Sequence, residues 1–229
     1  GIRTVRKNDL AAHGGLHESA RSKARMVTGG VSAAAAARAK LPRMSLTIHD
    51  QPLPYVDLLP ERPAAAVELV VIHCTELPDL ATAREYGERV LHPSGAGNSG
   101  HYYIDRDGAV YRYVPGTRVA NHVRGHNPNS IGIELVNLGR YPHWWDSRQQ
   151  QMTEPYGDAQ ITALRALLAE LRRDFPNLRQ IAGHEQLDTD LMPASDDPAI
   201  QIHRKLDPGP LFPWAEVLEA CGLSRPAVP

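Results

Sequence analysis

The chain predicts an α/β fold, a single domain with a central mixed β-sheet flanked by helices. Three observations lead there. Residues 67–73 form a β-branched run with the length and composition of a strand buried on both faces. Two aromatic-rich runs flank Asp107-Gly108, a hairpin signature. Ile161, Leu164, Leu168, Leu171 and Phe175 recur at helical spacing and stop at Pro176. Strands that interleave with helices call for a sheet with helices packed on its faces.

Taken in order, residues 1–45 carry nine Lys/Arg against two acids, a net of +7 that leaves −8 for the remainder. They show no sustained period and read as a basic leader or arm, solvated rather than bound to an anionic polymer. Ser32 and the alanines after it would cap and carry one short helix there. Pro52, Pro54, Pro60 and Pro63 make 46–66 a proline-rich extended arm laid over the domain. The compact domain is expected over 67–222, with 223–229 as a tail.

Within it, the first strand ends on His73. Pro78-Asp79 opens a helical pattern that runs through Leu91, with Ala83, Tyr86 and Val90 on its stripe. A glycine-rich loop, 94–100, leads into the hairpin of residues 101–114. Residues 130–136 then alternate: Ile131, Ile133 and Leu135 share one face, which puts Glu134 on the other beside Gly132. An unpaired carboxylate inside a strand is costly to bury, and Gly132 leaves open space next to it. The long helix follows with Asp158 as its cap. Residues 181–184 form a short strand that again ends on a histidine, His184. A polar loop, 185–203, precedes Arg204-Lys205-Leu206-Asp207-Pro208-Gly209-Pro210, and a closing helix around 215–220 stops at Gly222.

Composition removes several function classes. With 229 residues, 42% hydrophobic and 22% charged, the chain is an ordinary globular protein. A net charge of −1 offers no global basis for binding nucleic acid or a membrane surface. No apolar run approaches the ~20 residues of a transmembrane helix. Two cysteines make no disulfide framework; Cys74 follows His73 on the strand, points to the opposite face, and reads as a small buried hydrophobe. The leader lacks the continuous apolar segment of a signal peptide. Two compartments fit: the bacterial cytoplasm, or the periplasm and cell envelope if an export signal has been removed.

His73, His184 and Asp207 arrive on three separate segments with the donor types zinc prefers. Two neutral imidazoles and one carboxylate are a usual catalytic set, with the fourth tetrahedral position left open. Glu134 suits a general base. Lys205, two residues from Asp207 on an extended backbone, can face the same spot and hold negative charge on a carbonyl oxygen. Each residue alone also has a structural reading: a hydrogen-bonded histidine, a Glu–Arg ion pair, a solvated Lys–Asp pair worth little. Spacing alone does not bring the segments together.

Five motifs nevertheless stand in a telling order: Val70-Val71-Ile72-His73; Gly100-His101-Tyr102-Tyr103-Ile104-Asp105 with Asp107-Gly108; Ser130-Ile131-Gly132-Ile133-Glu134-Leu135; Ala182-Gly183-His184; and Arg204 to Pro210 as written above. In this order the chain resembles the zinc-dependent N-acetylmuramoyl-L-alanine amidases of amidase type 2, relatives of the peptidoglycan recognition proteins, over residues 66–220. The resemblance implies one Zn2+ held by His73, His184 and Asp207, Glu134 as the acid that activates water, and Lys205 as the residue that stabilises the tetrahedral intermediate. It implies a peptidoglycan or muropeptide substrate, cut between N-acetylmuramic acid and L-alanine. Other readings on the same fold are a wall-binding module without catalysis and a zinc peptidase acting within the stem peptide. Where the family has a Trp-His pair, this chain has Ala120-Asn121-His122, so His122 and Asn121 are candidate substrate contacts, with His101 a third. Residues 94–100 and 127–129 are expected to border the groove. The 185–203 loop is longer than in many relatives and offers rival ligands in Asp188, Asp190, Asp196, Asp197 and His203. It is also a candidate wall or lid for the groove.

Overall fold

The computed structural model describes residues 46–227, so the leader, its short helix and the end of the tail lie outside the described residues. The elements are β1 (Ile48–Asp50), β2 (Leu69–Cys74), α1 (Leu80–Glu88), β3 (Tyr102–Ile104), β4 (Val110–Arg112), β5 (Ser130–Leu135), α2 (Asp158–Asp174), β6 (Gln180–Gly183), α3 (His184–Leu187), β7 (Leu191–Pro193), β8 (Gln201–His203) and α4 (Trp214–Cys221). Six strands make one mixed sheet in the order β1-β4-β3-β5-β2-β6, and β7 and β8 form a separate hairpin. This is the α/β class expected.

β2 is buried along its whole length between β5 and β6, parallel to both. That burial is why its sequence is a continuous apolar run. β3 runs parallel to β5 and antiparallel to β4, across a turn in which Gly108 sits at φ +86°. The Asp-Gly pair is there because that turn needs a residue tolerant of positive φ.

Alternation then sorts the side chains. Val70, Ile72, Ile131, Ile133, Leu135 and Ile181 face α2 and α4 and meet Leu164, Leu167, Leu168 and Leu171 in the main core. Each of those leucines is at most 1% exposed, which is worth roughly 1.5–3 kcal/mol apiece. Val71, His73, Gly132 and Glu134 occupy the opposite face, where helical cover gives way to a groove.

Three boundaries differ from expectation. The 46–66 arm is part of the domain: β1 pairs with β4 at the sheet edge, and Leu53, Tyr55 and Leu59 bury in a second core with Tyr103 and Tyr113. Helix α1 is capped by Asp79, which accepts from the Thr82 N–H at 2.7 Å, but it ends at Glu88, leaving Val90 and Leu91 exposed. The N-cap of α2 is Gly157, not Asp158; Asp158 lies in the first turn, where a carboxylate complements the helix dipole. Gln160 fastens that end of the helix by donating to the carbonyls of Ile104 and Val136 at 3.3 and 3.0 Å. α4 closes as expected on Gly222, at φ +61°. No helix among the described residues is long and apolar enough to cross a membrane.

Candidate metal centre

His73 and Glu134 are partners in register across the β2–β5 ladder, so the sheet itself sets them side by side on one face. β6 delivers the chain to His184, the first residue of α3, beyond its pairing with β2. Asp207 arrives from the far end of the polar loop, and its backbone carbonyl accepts from the Glu185 N–H at 3.0 Å. Its side chain completes the meeting: Asp207 Oδ2 lies 3.0 Å from His73 Nδ1 and 3.1 Å from His184 Nδ1. All three residues are buried, at 2–3% exposure. One donor atom from each falls within 4.8 Å of the others, the one such group found among the described residues.

The donor set can be tested against a cation on its own geometry. His184 Nε2 and Asp207 Oδ1 are buried with no hydrogen-bond partner, a costly condition for polar atoms in a folded core. Burial first, and the nearby His184 second, lower the His73 pKa to about 4, which keeps its ring neutral and able to ligate. Burial would raise Asp207, but His184, the hydrogen bond to His73 and the Lys205 charge together hold its carboxyl well below the usual range. A neutral His73 ring, the His184 imidazole, one carboxylate and orphaned polar atoms fit a divalent metal.

Glu134 projects into an open groove of about 530 Å³ that His73, His184, Lys205 and Asp207 also line. Gly100 makes room for it, since a Cβ there would stand 2.9 Å from Glu134 Cγ. Burial pushes the Glu134 carboxyl well above its ordinary range; Asp207 adds to the rise and the Lys205 ammonium opposes it. All five residues singled out in the sequence are therefore at one place.

The three candidate substrate contacts separate. Asn121 lines the groove and donates to the Gly97 carbonyl at 3.1 Å. His122 also lines it, yet both of its ring nitrogens are engaged, with His73 Nε2 at 3.0 Å and Ser130 Oγ at 3.2 Å. Its ring occupies the space left by Gly132, whose Cβ would fall 2.7 Å from His122 Nδ1. The space expected beside Glu134 is thus filled by a histidine. Burial, and then His73, push the His122 pKa well below its ordinary value. His101 must be corrected: it is fully buried, its Nδ1 accepts from the Gly132 N–H at 3.0 Å, and its Nε2 donates to the Arg118 carbonyl at 3.0 Å. A side chain with no exposed surface and both nitrogens used does not reach a ligand. Asn98, Ser99 and Asn127 border the groove, as the glycine-rich loop and residues 127–129 led us to expect.

The rival ligands in the long loop are occupied elsewhere. Asp188 pairs with Arg204, Asp190 with Arg124, and Asp196 accepts from Ser147. Asp197 accepts from the Ala199 N–H, and His203 is an exposed residue of β8. The loop is not without structure: it holds α3 and the β7–β8 hairpin.

Two features escaped sequence reasoning. The buried Arg140 grips Glu76 through two bonds, of 2.7 and 2.9 Å, and its remaining donors reach the carbonyls of His203 and Arg204. It thereby fastens the end of β2 to the return of the long loop, just before Lys205. Only its position after a glycine hints at this. Glu185, beside His184, is raised to about 7 by burial, with Asp207 adding to the rise.

A family model described as N-acetylmuramoyl-L-alanine amidase matches residues 63–210. The N-acetylmuramoyl-L-alanine amidase AmiD of Escherichia coli is 33% identical over 118 residues, covering 48% of this chain and 37% of AmiD. The 1,6-anhydro-N-acetylmuramyl-L-alanine amidase AmpD of the same organism is 32% identical over 126 residues, covering 51% of this chain and 55% of AmpD. The chain thus spans about half or less of the length of these two relatives. Among solved structures, AmpDh3 of Pseudomonas aeruginosa in complex with anhydromuramic pentapeptide superposes with a TM-score of 0.53 at 26% identity, covering 69% of this chain and 61% of that one.

Proposed function

The chain belongs to the N-acetylmuramoyl-L-alanine amidase family matched over residues 63–210, and from that premise we propose that it is a zinc-dependent amidase that hydrolyses the bond between N-acetylmuramic acid and L-alanine in peptidoglycan or muropeptides. The observation that carries this reading is the buried convergence of His73, His184 and Asp207 beside Glu134, with two donor atoms left unpartnered. A binding module has no need of that arrangement, because an unsatisfied buried polar atom costs roughly 1–3 kcal/mol.

His73, His184 and Asp207 would hold one Zn2+, which when bound supplies Lewis acidity, bringing the pKa of water to about 7 and polarising the scissile carbonyl. Glu134 takes the proton from the attacking water, and its raised pKa brings it toward the range in which a base works best. The same carboxyl then returns the proton to the departing amine of L-alanine. Lys205, half-buried at the groove wall, faces the oxygen on which negative charge develops. Asn121 lines the groove within reach of the glycan-linked peptide. The name of AmpD, a 1,6-anhydro-N-acetylmuramyl-L-alanine amidase, and the anhydromuramic pentapeptide held by AmpDh3 favour a soluble anhydromuropeptide over polymeric wall.

The test digests purified wall and soluble anhydromuropeptide separately, with and without a chelator, and identifies products by mass. Metal-dependent release of stem peptide with a free N-terminal alanine is expected, more readily from the soluble substrate. Cleavage between stem residues would move the assignment to a peptidase. Tight binding with no product under any metal condition would move it to a wall-binding module.

A further inference from the structure

His122 sits where a substrate contact was expected, but its bonds run inward, and their direction can be worked out from one fixed point. The carbonyl of His126 can only accept, so Ser130 Oγ, 2.7 Å away, must spend its single proton there. Ser130 Oγ therefore receives a bond, and it is His122 Nε2 that donates it across 3.2 Å. A neutral imidazole with its proton on Nε2 has a bare Nδ1. That atom, 3.0 Å from His73 Nε2, must accept a proton from it. His73 thus carries its hydrogen on Nε2 and turns an unprotonated Nδ1 toward Asp207 Oδ2, 3.0 Å away. Two acceptors facing each other at that distance make sense around a cation.

We propose that His122 is a positioning residue, which through the Ser130–His126 relay locks His73 in the tautomer whose Nδ1 lone pair points at the metal position. The inference rests on the zinc-dependent reading above. The surroundings are built to hold this ring still. Asn127 Oδ1 accepts from the backbone N–H groups of His122 and Val123 at 3.0 and 2.8 Å, pinning the loop that carries it. Gly132 supplies the slot, and Ser130 is fully buried at the start of β5. With both nitrogens committed, His122 has no polar atom left for a substrate. A partner of this kind orients a ligating histidine and raises its basicity; its loss typically costs 10–100-fold in metal affinity.

The test uses the full chain, titrated with zinc in competition with a chromophoric chelator, and reads the His73 tautomer by 15N NMR of the metal-free protein, where no metal fixes it. Four proteins are compared: the parent, His122→Leu, His122→Asn and Ser130→Ala. His122→Leu removes the acceptor and is expected to weaken zinc binding by about 10–100-fold. His122→Asn places an amide oxygen where Nδ1 was and is expected to recover most of that loss. Ser130→Ala, which frees His122 to adopt the other tautomer, is expected to fall between, with His73 no longer protonated solely at Nε2. Unchanged zinc affinity in His122→Leu, with a raised KM instead, would overturn the inference and restore His122 as a substrate contact. If His122→Leu does not fold, Ser130→Ala decides: parental affinity and an unchanged His73 tautomer overturn the proposal. If the parent binds no zinc, the metal-dependent reading fails and takes the inference with it. Parental binding with indifferent variants fails the inference alone.

Discussion

One half of the site stands on the sheet and the other hangs from a loop, and the two are secured by different means. His73 and Glu134 are neighbours in a parallel ladder, so backbone hydrogen bonds between buried strands fix their separation. His184 and Asp207 lie at opposite ends of a long excursion. A few specific contacts join them: the Glu185 N–H to the Asp207 carbonyl, Asp188 with Arg204, and Arg140 reaching His203 and Arg204. A ladder spreads its load over many equivalent bonds, whereas a clasp concentrates it on single side chains. The sheet half should therefore tolerate loss of one side chain's chemistry without losing shape, and the loop half should not.

The largest effect tests the sheet half. Glu134→Gln is expected to lower kcat/KM by about 10²–10⁴-fold while zinc affinity and fold persist, measured by product release and chelator competition. The variant also has a pH signature. Burial raises the folded-state pKa of Glu134 above its ordinary 4.5. The metal-free parent is therefore unpenalised below that value and loses stability as pH climbs toward the raised one. Thermal melts should show Glu134→Gln level with the parent near pH 4 and more stable at pH 8. A variant that loses zinc would mean that the sheet half needs Glu134 for its shape.

Next comes the clasp. Arg140→Met strands the Glu76 carboxylate in the interior, a change expected to cost about 3–5 kcal/mol. For a domain of this size that lowers Tm by roughly 10 °C. Zinc affinity should fall as well, although Arg140 touches none of the candidate ligands. Parental zinc binding in this variant would show that the loop half holds itself. A smaller effect is expected from replacing residues 191–202, most of the β7–β8 hairpin, with a short flexible linker. The ratio of kcat/KM for polymeric wall to that for soluble muropeptide should shift by about tenfold, or 1.4 kcal/mol, with zinc retained. Lost zinc would mean that the hairpin contributes to the metal centre. Smallest is Asp190→Asn, which breaks an exposed pair with Arg124 and should change stability and KM by less than about 1 kcal/mol.

This division also explains what could be read from the chain. The alternation of Ile131, Ile133 and Leu135 placed Glu134 on the correct face, and the apolar run before His73 announced a central strand, because period-2 patterning records which side of a sheet is dry. The ordered motifs, Arg204 to Pro210 included, pointed to Asp207 as the remaining ligand. Arg140 left no such trace, since a charged residue in a loop reads as solvent-exposed until the fold closes over it. His101 was misjudged for the same reason: whether a loop histidine faces water or the core depends on long-range packing that local pattern does not encode. The 46–66 arm looked peripheral because β1 is three residues long, and its prolines hid the buried Leu53, Tyr55 and Leu59.

Gly100 and Gly132 have no reactive group, yet each is a void cut to the outline of a side chain of the candidate site, Glu134 in one case and His122 in the other. A single added methyl at either place would push aside a member of the site without removing any of its chemistry. Harmful substitutions in this protein should therefore gather at positions that a catalogue of catalytic residues omits. A scan of all single substitutions ought to find these two glycines about as intolerant as Glu134 and His122, the side chains they accommodate.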